Sequence, residues 1–186
     1  MKKTAVALTL CFSLLFSILA GTLFINSATA QTYSTITIKP DGSVEGTDKI
    51  HRNGNLYTLT DDVSGGIRVE RSYIMINGAG HVIRGNGTGI GISISYYSSY
   101  GYGTMFVNNV TVVNLRIFSF NTGIFAQSTF NNTFIGNYID GCETGVSIMS
   151  SRGNILKRNE IRDCITGISI NYCSDGMVIT ENNIIN

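Results

Sequence analysis

Charged residues are scarce in this chain of 186 residues, since only 13% of them are Asp, Glu, Lys or Arg. That is about half of the ~25% usual in a soluble protein. The formal net charge is +1, and loss of Lys2 and Lys3 with a leader would make it −1. Such a chain has no field of one sign that attracts nucleic acid or an anionic membrane surface. We expect no nucleic-acid partner, and membrane contact only through a leader or an anchor beyond residue 186.

Proline and leucine are also rare. The chain has one Pro, and six of its ten Leu residues precede residue 24, whereas Ile occurs 25 times. The 21 Gly residues follow no Gly-X-Y period, which excludes a collagen-like rod. Beyond the first thirty residues the sequence is rich in Ile, Asn, Ser, Thr and Gly. This composition predicts an all-β chain with many turns.

The first thirty residues have the pattern of an export signal. A basic head precedes an apolar run over 5–25, and Ala28-Thr29-Ala30 supplies the small residues of a cleavage site. We predict a signal peptide over 1–30. The alternative is an uncleaved anchor, since about 20 apolar residues span a bilayer. Either reading places the rest of the chain outside the cytoplasm, and we expect a secreted or cell-surface protein.

A repeated motif gives the architecture. Thr-Gly-aliphatic-x-aliphatic, with Ala allowed at the last position, begins at Thr88, Thr122, Thr144 and Thr166. The last three copies are 22 residues apart, and the first lies 34 residues before the second. Short alternating runs at such a period predict a parallel β-helix, in which each coil lays three strands over the preceding coil about 4.8 Å away.

The repeat also predicts which side chains stack. Ile124, Val146 and Ile168 should form one inward column, with Ile90 at its start. A second inward column is expected from Ile92, Ala126, Ile148 and Ile170. Glycine should mark the bend before the column, where the backbone needs freedom: Gly89, Gly123, Gly145 and Gly167. Side-chain amides are expected to form a ladder between coils at Asn137, Asn159 and Asn182.

One family resemblance follows from these residues. The segment Ile74–Ile90, with its Gly-rich turns, and the Asn-x-Ile coils after it resemble the right-handed parallel β-helix repeats of NosD-like proteins. The segment 38–60 resembles the entry region of secreted archaeal members, and the resemblance covers about 36–186. It implies a right-handed β-helix but no single activity, because these repeats occur in lyases, hydrolases, epimerases and non-catalytic surface proteins. Copper delivery, associated with NosD, is not expected, since no His or Met cluster supports it.

The chain divides into a signal peptide (1–30), an N-terminal entry and cap region (31–66) and β-helix repeats (67–186). The cap should include a β-hairpin, because the turn Asn53-Gly54-Asn55 separates two strand-like runs. The repeats break off within a coil at the C-terminus. We therefore expect a piece of a longer protein, whose open coil is able to associate end to end with another copy.

Candidate chemical groups are few. Cys142 and Cys164 share one column, and two readings stay open: a disulfide between coils, allowed in an exported protein, or small apolar side chains beside the core. No Cys-x-x-Cys with a neighbouring His marks a zinc site. We predict no metal and no cofactor, and we expect His51 and His81 to be exposed turn residues. Cys173 is a third thiol, in a later turn.

No catalytic residue is assigned. Glycoside hydrolysis needs two carboxylates about 5–10 Å apart on one face, whereas Asp140 and Asp163 should point to different faces. The acids therefore favour a solvated surface over a catalytic groove. Candidate N-glycosylation sites lie in Asn-x-Thr motifs at Asn86, Asn109 and Asn131.

The segment 95–103 carries four tyrosines among Ser and Gly: Tyr96, Tyr97, Tyr100 and Tyr102. This composition is typical of a binding loop, and sugar rings stack on such aromatics; the alternative is a loop that folds back over its coil. We expect a non-catalytic extracellular scaffold for display or for binding a polysaccharide or cell-surface glycan. One alternative is a carbohydrate-active enzyme (lyase, hydrolase or epimerase type) with its site in missing coils or on the face of Arg152 and Arg158. Another is a self-associating surface-layer component.

Overall fold

The computed structural model describes residues 35–95, 97–99, 103–172 and 176–185. These residues form 22 short β-strands, numbered β1 to β22 in chain order, and contain no helix. Apolar and polar residues alternate in most of the strands, and a period of two sends every second side chain to the same face. The prediction of an all-β chain is confirmed.

Twenty of the strands belong to three sheets. Sheet A contains β1 (Ile36–Ile38), β2 (Val44–Glu45), β6 (Ile67–Val69), β9 (Ile90–Ser95), β14 (Thr122–Gln127), β17 (Thr144–Met149) and β20 (Thr166–Asn171). Sheet B contains β3 (Ile50–Asn53), β4 (Leu56–Leu59), β7 (Ile74–Asn77), β12 (Val110–Val113), β15 (Thr133–Ile135), β18 (Ile155–Lys157) and β21 (Val178–Thr180). Sheet C contains β5 (Val63–Ser64), β8 (Val82–Arg84), β13 (Arg116–Phe118), β16 (Tyr138–Asp140), β19 (Glu160–Arg162) and β22 (Asn183–Ile185).

The chain visits sheets A, B and C in turn, and each visit pairs in parallel with the previous one. In sheet A, Ile124 pairs with Val146, which pairs with Ile168. In sheet C, Ile117 and Ile139 pair in the same manner. The predicted parallel β-helix with coils of 22 residues is therefore confirmed, as is the inward column of Ile124, Val146 and Ile168.

The predicted start of that column was wrong by two residues. Ile92 lies beside Ile124, whereas Ile90 pairs with Thr122 and is exposed. The glycine that stacks on Gly123 is accordingly Gly91, not Gly89. A Cβ at Gly91 would lie 2.5 Å from the Gly123 carbonyl oxygen, so only glycine allows this close approach between coils.

The second predicted column shifts in the same way. Ile94, not Ile92, lies beside Ala126, and Ala126 continues to Ile148 and Ile170 as expected. The shift arises because Gly-Ile occurs twice in succession at 89–92, and only the second copy has the packing contacts of the repeat.

The N-terminal end contains two antiparallel pairs. β1 pairs with β2, and β3 pairs with β4 around the turn at Gly54 and Asn55. The predicted hairpin is therefore present. The hydroxyl of buried Tyr57 donates to the Gly42 carbonyl at 3.0 Å and joins this hairpin to the turn between β1 and β2. The antiparallel strands occupy the first edges of sheets A and B, where a solenoid otherwise presents unpaired backbone.

The last described strands, β20, β21 and β22, lie at the opposite edges of the three sheets. Several apolar side chains of this coil are exposed, among them Ile165, Val178 and Ile184. End-to-end association through this coil stays a prediction, as do the domain boundaries at residues 30 and 66.

Candidate functional site

The turn from sheet A to sheet B after β9 holds the described part of the predicted tyrosine segment. There β10 (Tyr97–Ser99) and β11 (Gly103–Met105) form a separate antiparallel pair. Tyr96, Tyr100 and Tyr102 lie outside the described residues. The extra pair explains why the first repeat interval is longer than 22 residues, since the other coils join these sheets by short turns.

The same turn carries an aromatic or arginine side chain in each of five successive coils. We call this set the aromatic edge; its members are Tyr73, Phe106, Phe130, Arg152 and Tyr172. Four steps between coils of about 4.8 Å extend the set over about 19 Å along the solenoid axis. Only the tyrosine segment stands out in the sequence at this turn, because single aromatics at unequal spacings give no repeat signal.

The middle of the aromatic edge is stacked. The ring centroids of Phe106 and Phe130 are 6.1 Å apart. The guanidinium carbon of Arg152 lies 4.7 Å from the Phe130 centroid, a cation–π contact. The Asn108 side-chain oxygen accepts from the Phe130 backbone N–H at 2.7 Å and fixes the two coils at this point.

Three rings of the aromatic edge are open to solvent. Tyr73 is 70% exposed, Phe106 49% and Tyr172 89%. A surface groove of about 480 Å³ lies beside Tyr73 and includes Met75 and Thr111 in its walls. Exposed aromatic rings beside a groove are apolar surface that is not buried in the core, and such surface is typical of a recognition site.

Tyr73 is placed there at a conformational cost. Its φ is 60°, and the equivalent turn positions of the next three coils, all with positive φ, hold Asn109, Asn131 and Gly153. Asn and Gly adopt this left-handed backbone readily, whereas other residues pay roughly 1–2 kcal/mol. A bulky residue that is both strained and exposed contributes little to packing, and strain of this kind concentrates at functional sites.

A second surface lies on the outer face of sheet C. Arg84 and Arg116 place their guanidinium carbons 4.8 and 5.4 Å from the Phe118 centroid. Arg116 also lies 5.3 Å from the Tyr138 centroid, and the two rings are 5.6 Å apart. These rings are half-buried and covered by arginines, so they offer less free aromatic face than the aromatic edge.

Two carboxylates share this face of sheet C. Asp140 pairs with Arg162 and Tyr138 pairs with Glu160, so Asp140 and Glu160 are diagonal neighbours. Adjacent strands 4.8 Å apart and two residues of rise place their Cα atoms about 8 Å apart. The pair escaped the sequence analysis, which compared Asp140 with Asp163.

Both acids have partners. The Tyr138 hydroxyl donates to Asp140 at 3.0 Å, and Glu160 forms an ion pair with Arg162 at 2.5 Å. Loss of solvent, and then the hydrogen bond to Asp140, raise the pKa of Tyr138. Tyr138 is therefore a neutral hydrogen-bond donor at ordinary pH.

One group of side chains in the described part of the chain has the composition of a metal site. Ligand atoms of Asp61, Asp62 and His81 lie within 4.8 Å of one another. Lys49 already pairs with Asp61 at 2.9 Å, and the Val82 backbone N–H donates to Asp62 at 2.9 Å. Both carboxylates therefore already have partners within the protein. His81 is half-buried, not fully exposed as the sequence predicted.

The three candidate glycosylation sites differ in their surroundings. Asn86 and Asn131 are exposed, and Asn109 is half-buried. The Asn86 side-chain oxygen accepts from the backbone N–H and the hydroxyl of Thr88, which leaves its amide nitrogen uninvolved in that turn. Modification at these residues stays a prediction.

A family model described as right handed beta helix region matches residues 58–186. The chain belongs to the right-handed β-helix family. No curated protein and no solved structure matches it. Among the residues that the structure describes, no helix is long and apolar enough to span a membrane.

Proposed function

We propose that the protein is an exported, non-catalytic β-helix scaffold that binds a linear polysaccharide along its aromatic edge. The observation that carries this proposal is the aromatic or arginine side chain at the turn from sheet A to sheet B in five successive coils, with three of the rings exposed. The groups lie at successive levels along the solenoid axis, so they suit a polymer chain better than a compact ligand. The export signal and the NosD-like grouping belong to this proposal, since both were read from the sequence.

Physical chemistry supports a neutral or weakly charged glycan. Aromatic rings contact the C–H faces of sugars, and the hydroxyl groups of Tyr73 and Tyr172 supply polar tips. Arg152 is the one cationic member of the aromatic edge, and its guanidinium is already stacked on Phe130. We include the tyrosines of 96–102 in this proposal on their composition alone, because their sequence follows β9 in the second of these coils.

The test compares three variants with the wild type on immobilised polysaccharides and a glycan array. Tyr73→Ser, Phe106→Ser and Tyr172→Ser together remove the exposed rings, and we expect affinity to fall at least tenfold. Ala at Tyr96, Tyr97, Tyr100 and Tyr102 should weaken binding further. The matched control is Phe118→Leu, which removes an aromatic from sheet C and should leave affinity unchanged. Equal binding by the triple variant and the wild type would contradict the proposal, as would a wild type that binds no glycan.

A second candidate function rests on Asp140 and Glu160. The Cα atoms of these residues are about 8 Å apart, so their side chains can reach the carboxyl separation of a glycoside hydrolase, and Arg84 and Arg116 lie on the same face. Incubation with a polysaccharide panel, followed by assays for reducing and unsaturated sugar ends, tests this function. Activity that Asp140→Asn abolishes, and that Glu143→Gln retains, would favour the enzyme over the scaffold.

A further inference from the structure

Cys142 and Cys164 occupy equivalent positions in successive coils. Each follows a sheet C strand by two residues and precedes a sheet A strand, β17 or β20, by two residues. Both are free thiols, and each residue is only 4% exposed. Phe120 occupies the same position in the preceding coil, so the two thiols share a column with an apolar ring.

The two side chains point the same way. The Cys142 sulfur lies 3.7 Å from the Asp140 carbonyl oxygen, and the Cys164 sulfur lies 3.1 Å from the Arg162 carbonyl oxygen. Each contact goes to the residue two positions earlier in its own coil. The two sulfurs therefore lie in one column, at stacked positions of neighbouring coils, because the residues on either side pair in register.

The spacing of the coils suits a covalent link. Stacked positions are separated by about 4.8 Å, and disulfides join Cα atoms that are about 4.4–6.8 Å apart. Both cysteines lie in turns rather than in strands, and the residues before them, Gly141 and Asp163, have positive φ. Formation of the disulfide requires rotation of the two cysteine side chains, and it breaks no hydrogen bonds between paired strands.

We propose that Cys142 and Cys164 form a reversible disulfide between coils, and that a small disulfide such as oxidised glutathione is the oxidant. The Cys164 thiolate attacks one glutathione sulfur, forming a mixed disulfide and releasing one glutathione. Cys142 then loses its proton, and its sulfur attacks Cys164 and displaces the second glutathione. Two protein thiols are oxidised and one glutathione disulfide is reduced to two thiols.

The surroundings of the two thiols give them different roles in this reaction, one as the attacking thiol and one as the resolving thiol. The hydrogen bond from Cys142 lowers the pKa of Cys164 to about 7, because it stabilises the thiolate. The same hydrogen bond, followed by burial, raises the pKa of Cys142. Cys164 is therefore the attacking thiol and Cys142 the resolving thiol. This inference does not depend on carbohydrate binding.

The experiment uses the full chain with Cys11→Ser and Cys173→Ser, so that two thiols remain. After equilibration with excess oxidised glutathione, we expect no thiol to titrate under denaturing conditions and peptide mapping to find Cys142 linked to Cys164. The oxidation rate should rise as the pH passes through about 7. The melting temperature should rise by about 5 °C, since the link restricts the unfolded chain.

Two further variants test the roles. Cys142→Ser should accumulate a mixed disulfide of Cys164 with glutathione, because the resolving thiol is missing. Cys164→Ser should react with oxidised glutathione at least tenfold more slowly. Two free thiols after equilibration would overturn the proposal, and equal reaction rates of the two single variants would overturn the assigned roles.

Discussion

The side-chain amide of Asn137 donates to the side-chain oxygen of Asn159, one coil further on, at 3.0 Å. Asn159 repeats the contact with Asn182 at 2.9 Å. The amide nitrogen of Asn159 also donates to the Phe134 carbonyl at 2.8 Å, and its oxygen accepts from the backbone N–H of Asn137 at 3.1 Å. The ladder thus satisfies buried backbone groups at the turn between sheets B and C, where no strand partner is available.

Replacement of Asn159 should therefore be costly. Asn159→Leu leaves the Asn137 N–H groups and the Phe134 carbonyl without partners in a buried turn. Each unsatisfied group costs about 1–3 kcal/mol, so we expect the free energy of unfolding to fall by roughly 3–5 kcal/mol. Urea denaturation measures the loss. Asn183→Ala, at an exposed position in β22, should change stability by less than about 1 kcal/mol; an equal loss there would refute the argument.

The register could be predicted where the chain repeats without interruption. Exact spacings of 22 residues fixed Ile124 over Val146 and Asn137 over Asn159. A second ladder, Asn132 over Asn154 at 3.1 Å, has the same spacing and was missed, since Asn132 was considered only as part of a glycosylation motif. Between the first two copies of the motif, the inserted pair of β10 and β11 lengthens the interval beyond 22 residues. The sequence therefore predicted Ile90 at the position that Ile92 occupies.

The corrected frame gives a direct prediction. In Gly91→Ala, the new methyl group would meet the Gly123 carbonyl oxygen at 2.5 Å and the Ile117 side chain at 2.8 Å. We expect a loss of about 3 kcal/mol in the free energy of unfolding, since backbone atoms of a neighbouring coil must move. Gly89 has φ +71° and no atom within 4 Å of such a methyl group. Gly89→Asn should cost less than about 1 kcal/mol, because Asn tolerates the left-handed backbone. A larger loss of stability in Gly89→Asn than in Gly91→Ala, by thermal or urea denaturation, would support the predicted register, in which Gly89 stacks on Gly123.

The exposed aromatic residues were harder to predict than the core. The tyrosine segment stood out by composition, and its place at a turn from sheet A to sheet B was visible from the long interval. Tyr73 and Phe106 gave no such signal, because a lone aromatic in an apolar β-sequence is expected to be buried. Their exposure follows from the turn geometry, including the positive φ of Tyr73.

Tyr57 ties the N-terminal hairpin to the first turn through one hydrogen bond. In Tyr57→Phe the Gly42 carbonyl loses this partner while the ring stays packed, and we expect a loss of about 1 kcal/mol in the free energy of unfolding. Hydrogen exchange should speed up in β3 and β4 and remain unchanged in β17. The matched control is Tyr172→Phe, at a highly exposed ring, which should alter neither quantity. Uniform acceleration over all sheets would show that Tyr57 acts on the whole solenoid and not on the hairpin.

The cap should also be sensitive to acid through Asp61. The hydrogen bond from Lys49, followed by that from the Asp62 backbone, lowers the pKa of Asp61 below its ordinary value of 3.8. The contribution of this carboxylate to stability is therefore present above that value, and it is lost as the pH falls through the lower value of the folded state. Between pH 7 and pH 3, we expect the urea midpoint to fall less in Asp61→Asn than in the wild type. Lys49→Met should give the same flattening, because it removes the other half of the pair. A wild-type pH dependence that both variants retain in full would place the acid sensitivity elsewhere in the fold.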